Sequence, residues 1–302
     1  MLILSKLSLT AKSRMSLDPI YNFYRYAFKD EPIFIDNPES KIADSSFGDT
    51  VVKKAFAIAK DNDLAAEASV VMILVMEIHH QLQLIIESCR GGDDGARAVD
   101  IAAAFWVGTG QEVGNNDSGY LMYSIAERAA ALYGQDSGVA TVNTKILSLL
   151  QEVKVLLGSC SSNDDDFGAL RMKVDQITTQ MYIPLLQQII YYMNMADSED
   201  NDYENYIELY ALSTIPQIAA CNPSTFSYLK DELIDYDWEP DGLENVMASL
   251  RGAYSCFGLT CEDLGTLQND GRSGMAMMQP CSDEAPSLSM GGYHSSSDVT
   301  QV

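Results

Sequence analysis

The feature that most constrains this chain is a periodic one. From about residue 16 to 264, apolar residues recur at helical spacing between short polar breaks, and almost no stretch alternates strictly in the manner of a strand. Such a chain is expected to fold as an all-α, single multi-helix globular domain. Asp63-Leu-Ala-Ala-Glu opens a long apolar run to about Cys89, closed by Gly91-Gly-Asp-Asp-Gly. Further helices are predicted over 96–106, 120–133, 143–157, 167–195, 203–221, 226–234 and 243–253, with Pro184 expected to kink or split the fourth of these. Residues 1–15 form an N-terminal segment and 16–265 the helical domain. Beyond these, Gly, Ser, Met and Gln dominate without apolar period, so 266–302 is expected to be a disordered tail.

Charge narrows the partners. Forty-three acidic residues against 19 basic ones give a net charge of −24, a field that repels phosphate backbones and anionic headgroups and attracts cations. Nucleic acid is therefore not an expected partner. The most apolar stretch, Val70 to Met76, is far shorter than the ~20 residues of a bilayer crossing, and no membrane span is expected. The basic, serine-bearing segment Met1 to Arg14 is broken by lysine before an apolar signal region forms, so it is not a convincing signal sequence. Six cysteines, Cys89, Cys160, Cys221, Cys256, Cys261 and Cys281, lie near expected helix ends. They fit disulfides, with six reduced thiols as the alternative, and the absence of CxxC gives zinc little support.

Three stretches taken together resemble a known family. They are Asp100-Ile-Ala-Ala-Ala-Phe-Trp-Val-Gly-Thr-Gly with Leu121-Met-Tyr-Ser-Ile-Ala-Glu-Arg, then Ile183-Pro-Leu-Leu-Gln187, then Cys256-Phe-Gly-Leu-Thr-Cys-Glu-Asp-Leu-Gly265. In order and spacing they are similar to the algal iron-assimilation domain of phytotransferrins, over roughly residues 70–265. The resemblance implies a secreted, cell-surface or endomembrane protein that captures ferric iron, Fe3+, with carbonate as synergistic anion and a cell-surface or endocytic partner protein. The chain departs from the family pattern at Ile101 and Gln111, where carboxylates are expected, and at Ile189-Ile-Tyr-Tyr, which offers no cation to hold an anion.

Ferric iron is a hard cation, suited by carboxylates and phenolates facing one another across helices. The set nominated from the sequence is Asp100, Glu112, Tyr123 and Glu127, the last two four apart on one helix face, with Glu77 and His80, three apart, as a second pair. Against ligation stands ordinary packing of Tyr123 and pairing of Glu127 with Arg128 or solvent. Tyr203, Glu204, Tyr206, Glu208 and Tyr210 read mostly as a solvated acidic and aromatic surface. Asn116-Asp-Ser118 is a glycosylation sequon, meaningful in a secretory chain, and Asp164–Asp166 lacks the ligand pattern of a calcium loop. No GxSxG, HExxH, P-loop or strand-linked GxGxxG occurs, and there are three histidines in the chain. A binding protein is therefore expected rather than an enzyme. The alternative is a structural or interaction protein of an algal surface or plastid complex that kept the fold and lost the metal.

Overall fold

The computed structural model describes residues 24, 27–28, 47–56, 62–91, 95–115, 117–160, 164–196, 202–234, 243–268 and 278–281. In order, the helices are α1 (Phe47–Lys54), α2 (Asn62–Gly91), α3 (Gly95–Val107), α4 (Met122–Leu132), α5 (Thr141–Ser159), α6 (Asp164–Ala196) and α7 (Asp202–Thr214). They continue as α8 (Ile218–Cys221), α9 (Pro223–Leu233), α10 (Leu243–Ala253) and α11 (Cys261–Leu264). No strand occurs among the described residues, where one isolated bridge joins Asp136 and Ala140. The all-α, single-domain expectation holds.

Helix α6 is the axis of the fold, packed against α2, α4, α5 and α7. Residues 181–190 are all buried, Pro184 among them. A proline inside a helix forfeits a hydrogen bond at a cost of about 3 kcal/mol. Contacts on every side outweigh that loss, so α6 runs through Pro184 without the expected split. Its buried amide is matched: Gln187 Nε2 donates to the carbonyls of Leu264 (2.7 Å) and of the Gln135 side chain (3.1 Å). The proline at 216 does interrupt the helix predicted over 203–221, which turns through a 3-10 segment at Ile215–Gln217. Asn222 then caps α9, accepting from Thr225 N, with Pro223 in the first turn where no amide hydrogen is needed.

Helix α2 runs much as the apolar pattern from Asp63 to Cys89 predicts. It is 30 residues, long and apolar enough by length and composition to cross a membrane, but 72% of its apolar window is buried inside the fold. That apolarity is used by the core. Its middle, Ser69–Leu74, is a π-helical turn whose six residues are all buried.

All six cysteines are paired, as Cys89–Cys160, Cys221–Cys256 and Cys261–Cys281, so disulfides and not free thiols are present. The last bridge corrects the domain limit set at 265. Leu267 and Met278 are buried. Asn194 brackets Met278, accepting from its N–H at 2.7 Å, while the Gln279 side chain bonds both backbone groups of Leu267. Residues 266–268 and 278–281 thus belong to the domain; the remainder of the predicted tail, like residues 1–15, Asn116 and His294, lies outside the described residues.

Candidate metal centre

The four residues nominated from the sequence do not assemble into one oxygen-donor cluster. Asp100, on α3, is exposed and paired with Lys154 of α5 at 2.6 Å. Glu112 lies in the exposed loop before α4, where its carboxylate accepts from Asn115 Nδ2 at 2.9 Å. Tyr123 and Glu127 are both buried on α4, as their four-residue spacing requires, but Glu127 is already occupied. One oxygen accepts from Ala140 N (3.0 Å) and the other from Asn143 Nδ2 (2.8 Å). Asn143 also donates to Tyr123 O and accepts from Trp106 Nε1. This network joins α3, α4 and α5 and is structural. Glu77 likewise accepts from Gln81 Nε2 at 2.7 Å, and no third His, Cys, Asp or Glu among the described residues completes a metal group with it and His80.

Gln111, where the resemblance implied a carboxylate, is engaged as an amide. Its Nε2 donates to Glu112 O, Asn115 O and Ser118 Oγ, tying the loop that leads into α4. A carboxylate has no hydrogen to donate and could not make these bonds.

Oxygen donors from separate helices do converge elsewhere. Glu67 of α2, two residues before the π turn, accepts a short hydrogen bond from the Tyr210 hydroxyl of α7. Its other oxygen receives Arg128 of α4 at 3.3 Å. Tyr192 of α6 stacks on Tyr206 at 4.7 Å and on Tyr210 at 5.9 Å between ring centroids, and Tyr203 flanks it at 5.9 Å. Glu67, the Tyr210 hydroxyl and the Arg128 guanidinium therefore meet from three helices, and Tyr192 of a fourth stacks its ring on Tyr210 and Tyr206 beside them.

The electrostatics follow from this crowding. Burial first, and then the negative charge of Glu67, push the Tyr210 and Tyr192 phenols well above their usual value, so both are neutral near pH 7. Burial works against the charge of Arg128, but Glu67 outweighs it and the guanidinium is held above its ordinary value. The Arg128 side chain remains 44% exposed, so the cluster opens to solvent on that side.

The Tyr203–Tyr210 segment is thus not the solvated surface its sequence suggested. Tyr210 is fully buried, Tyr203 and Tyr206 are half-buried, and Glu208 pairs with Lys54. The signal was present in the i, i+3, i+7 spacing of Tyr203, Tyr206 and Tyr210, which places three rings on one helix face. Glu67 and Arg128 carried no comparable signal. Arg128, paired with Glu67, also lies close enough to Tyr192 for its charge to act on that phenol.

The chain matches no protein-family model, and no curated protein or solved structure is similar to it.

Proposed function

We propose that this protein binds ferric iron at the Glu67, Tyr192, Tyr206 and Tyr210 cluster, as part of iron acquisition in an extracellular or endomembrane compartment. The observation that carries the proposal is the meeting of a carboxylate and phenols from α2, α6 and α7 beside Arg128. Carboxylate and phenolate oxygens are hard donors, so the chemistry of the set fits a hard trivalent cation. The net charge of −24 favours cation approach, and three disulfides suit an oxidising compartment. Bound iron supplies a large positive charge that favours the phenolate forms which burial disfavours.

The residues of this chain have separable parts in binding. Glu67 provides the resident negative charge, and Arg128 orients it and would hold a small anion such as carbonate on its exposed side. Tyr210 releases the proton it shares with Glu67. Tyr192 and Tyr206, held by stacking, lose little freedom on binding.

Titrating the purified protein with ferric citrate tests this. A saturable visible phenolate-to-iron band at about one iron per chain is expected. The sign of the pH dependence follows from the raised phenols: iron must displace protons, so affinity falls as pH falls, by roughly 100-fold per unit if two phenol protons leave. The saturated occupation of Glu127 and the exposure of Asp100 favour a second reading, a scaffold protein that retains the fold without metal. A colourless protein without saturable uptake would overturn the iron reading and favour the scaffold.

A further inference from the structure

A second site lies on the opposite use of α6. Where α2, α6 and the turn Tyr254–Phe257 meet, a cleft of about 400 Å³ opens, and none of its lining residues belongs to the Glu67 cluster. Cavities of this size are typical of small-molecule sites. Three rings shape it, since Tyr182 lies 5.1 Å from Phe257 and 6.0 Å from His79 between centroids.

Two hydrogen-bond donors in its lining have no acceptor among the described residues. The Tyr182 hydroxyl and the Gln217 side-chain amide nitrogen are each buried without a partner, in residues only 4% and 9% exposed. A buried polar group left unmatched is costly, and native folds rarely tolerate two at one place without use. The buried amides of Asn143 and Gln187 are fully engaged, whereas Gln111 Oε1, Gln180 Oε1 and the Tyr254 hydroxyl, which lie outside the cleft, share the unmatched condition; the cleft is distinguished by having two such donors in its lining. Because burial keeps the Tyr182 phenol protonated, it acts as a donor throughout the ordinary pH range.

We propose that this cleft binds a small, uncharged aromatic molecule carrying an acceptor oxygen, which Tyr182 and Gln217 hold while Phe257 packs against its ring. Two unmatched donors in the lining of one cleft call for an acceptor. Asp175 on the rim and the net charge of −24 oppose an anionic one, which selects carbonyl, amide or hydroxyl oxygen over carboxylate.

Ligand-observed fluorine NMR with 4-fluorobenzamide and 4-fluorobenzoate tests this on the intact, disulfide-bonded chain. The two probes share shape and differ in charge. The amide is expected to broaden saturably at millimolar concentration and the benzoate to bind about ten-fold more weakly. Tyr182→Phe and Gln217→Leu should each weaken the amide about five- to ten-fold. Neither should lower the melting temperature, because each removes an unmatched buried donor. The proposal is overturned by absence of saturable amide binding to folded protein, by equal binding of the benzoate, or by unchanged affinity in both variants. It stands or falls independently of iron uptake, because Tyr182 and Gln217 take no part in the Glu67 cluster.

Discussion

Replacing Glu127 by alanine is expected to lower the unfolding free energy by about 3–5 kcal/mol, among the largest effects of any single substitution in this chain. The reason is the number of groups that depend on one carboxylate. Removing it orphans the buried N–H of Ala140, at the entrance to α5, and one amide hydrogen of Asn143, a residue with no exposed surface. Asn143 is also what holds the Trp106 indole, so the disturbance reaches α3. Glu127→Gln keeps an acceptor for one of the two donors but turns an amide N–H2 toward the other. About half the loss is expected. Urea unfolding of the three proteins checks the order, and equal stability of wild type and Glu127→Ala would remove the network from the account of the fold.

The second large effect comes from the disulfides. A cross-link stabilises by restricting the unfolded chain, and more so for a larger loop. Cys89–Cys160 spans 71 residues and Cys261–Cys281 spans 20. On the loop-entropy model the first contributes about 4 kcal/mol and the second about 3 kcal/mol. Paired serine substitution at 89 and 160 should therefore cost more than at 261 and 281. For a domain of this size the former corresponds to a fall of roughly 8–16 °C in melting temperature. The smaller loop has a further local role, since it fixes the Met278–Cys281 segment against Asn194 and Leu267. A melting temperature indifferent to reductant would contradict both pairs.

The helices were legible because their apolar faces repeat locally. Leu243–Ala253 occurs as its sequence suggests, and α3, α4 and α5 differ from expectation by a residue or two at their ends. Proline was less legible, because its effect depends on surroundings: the same residue type is carried through the buried middle of α6 and ends α7 at Pro216. The metal-site residues were the least legible. Tyr123 and Glu127 do share a face, as their spacing requires, but spacing says nothing of Asn143, which comes from another helix and occupies the carboxylate. Conversely, Glu67 meets Arg128 across 61 residues and Tyr210 across 143. No local pattern encodes such meetings, and in sequence Glu67 reads as an ordinary charge at the start of an apolar helix.

The placement of the ferric site at Glu67 is tested most directly by resonance Raman spectra of the iron-loaded protein, comparing wild type with Tyr210→Phe and Tyr123→Phe. Tyrosinate modes should be strong in wild type, intact in Tyr123→Phe, and reduced together with iron affinity by at least ten-fold in Tyr210→Phe. Modes that persist in Tyr210→Phe and vanish in Tyr123→Phe would move the iron to the α4 loop and contradict the assignment.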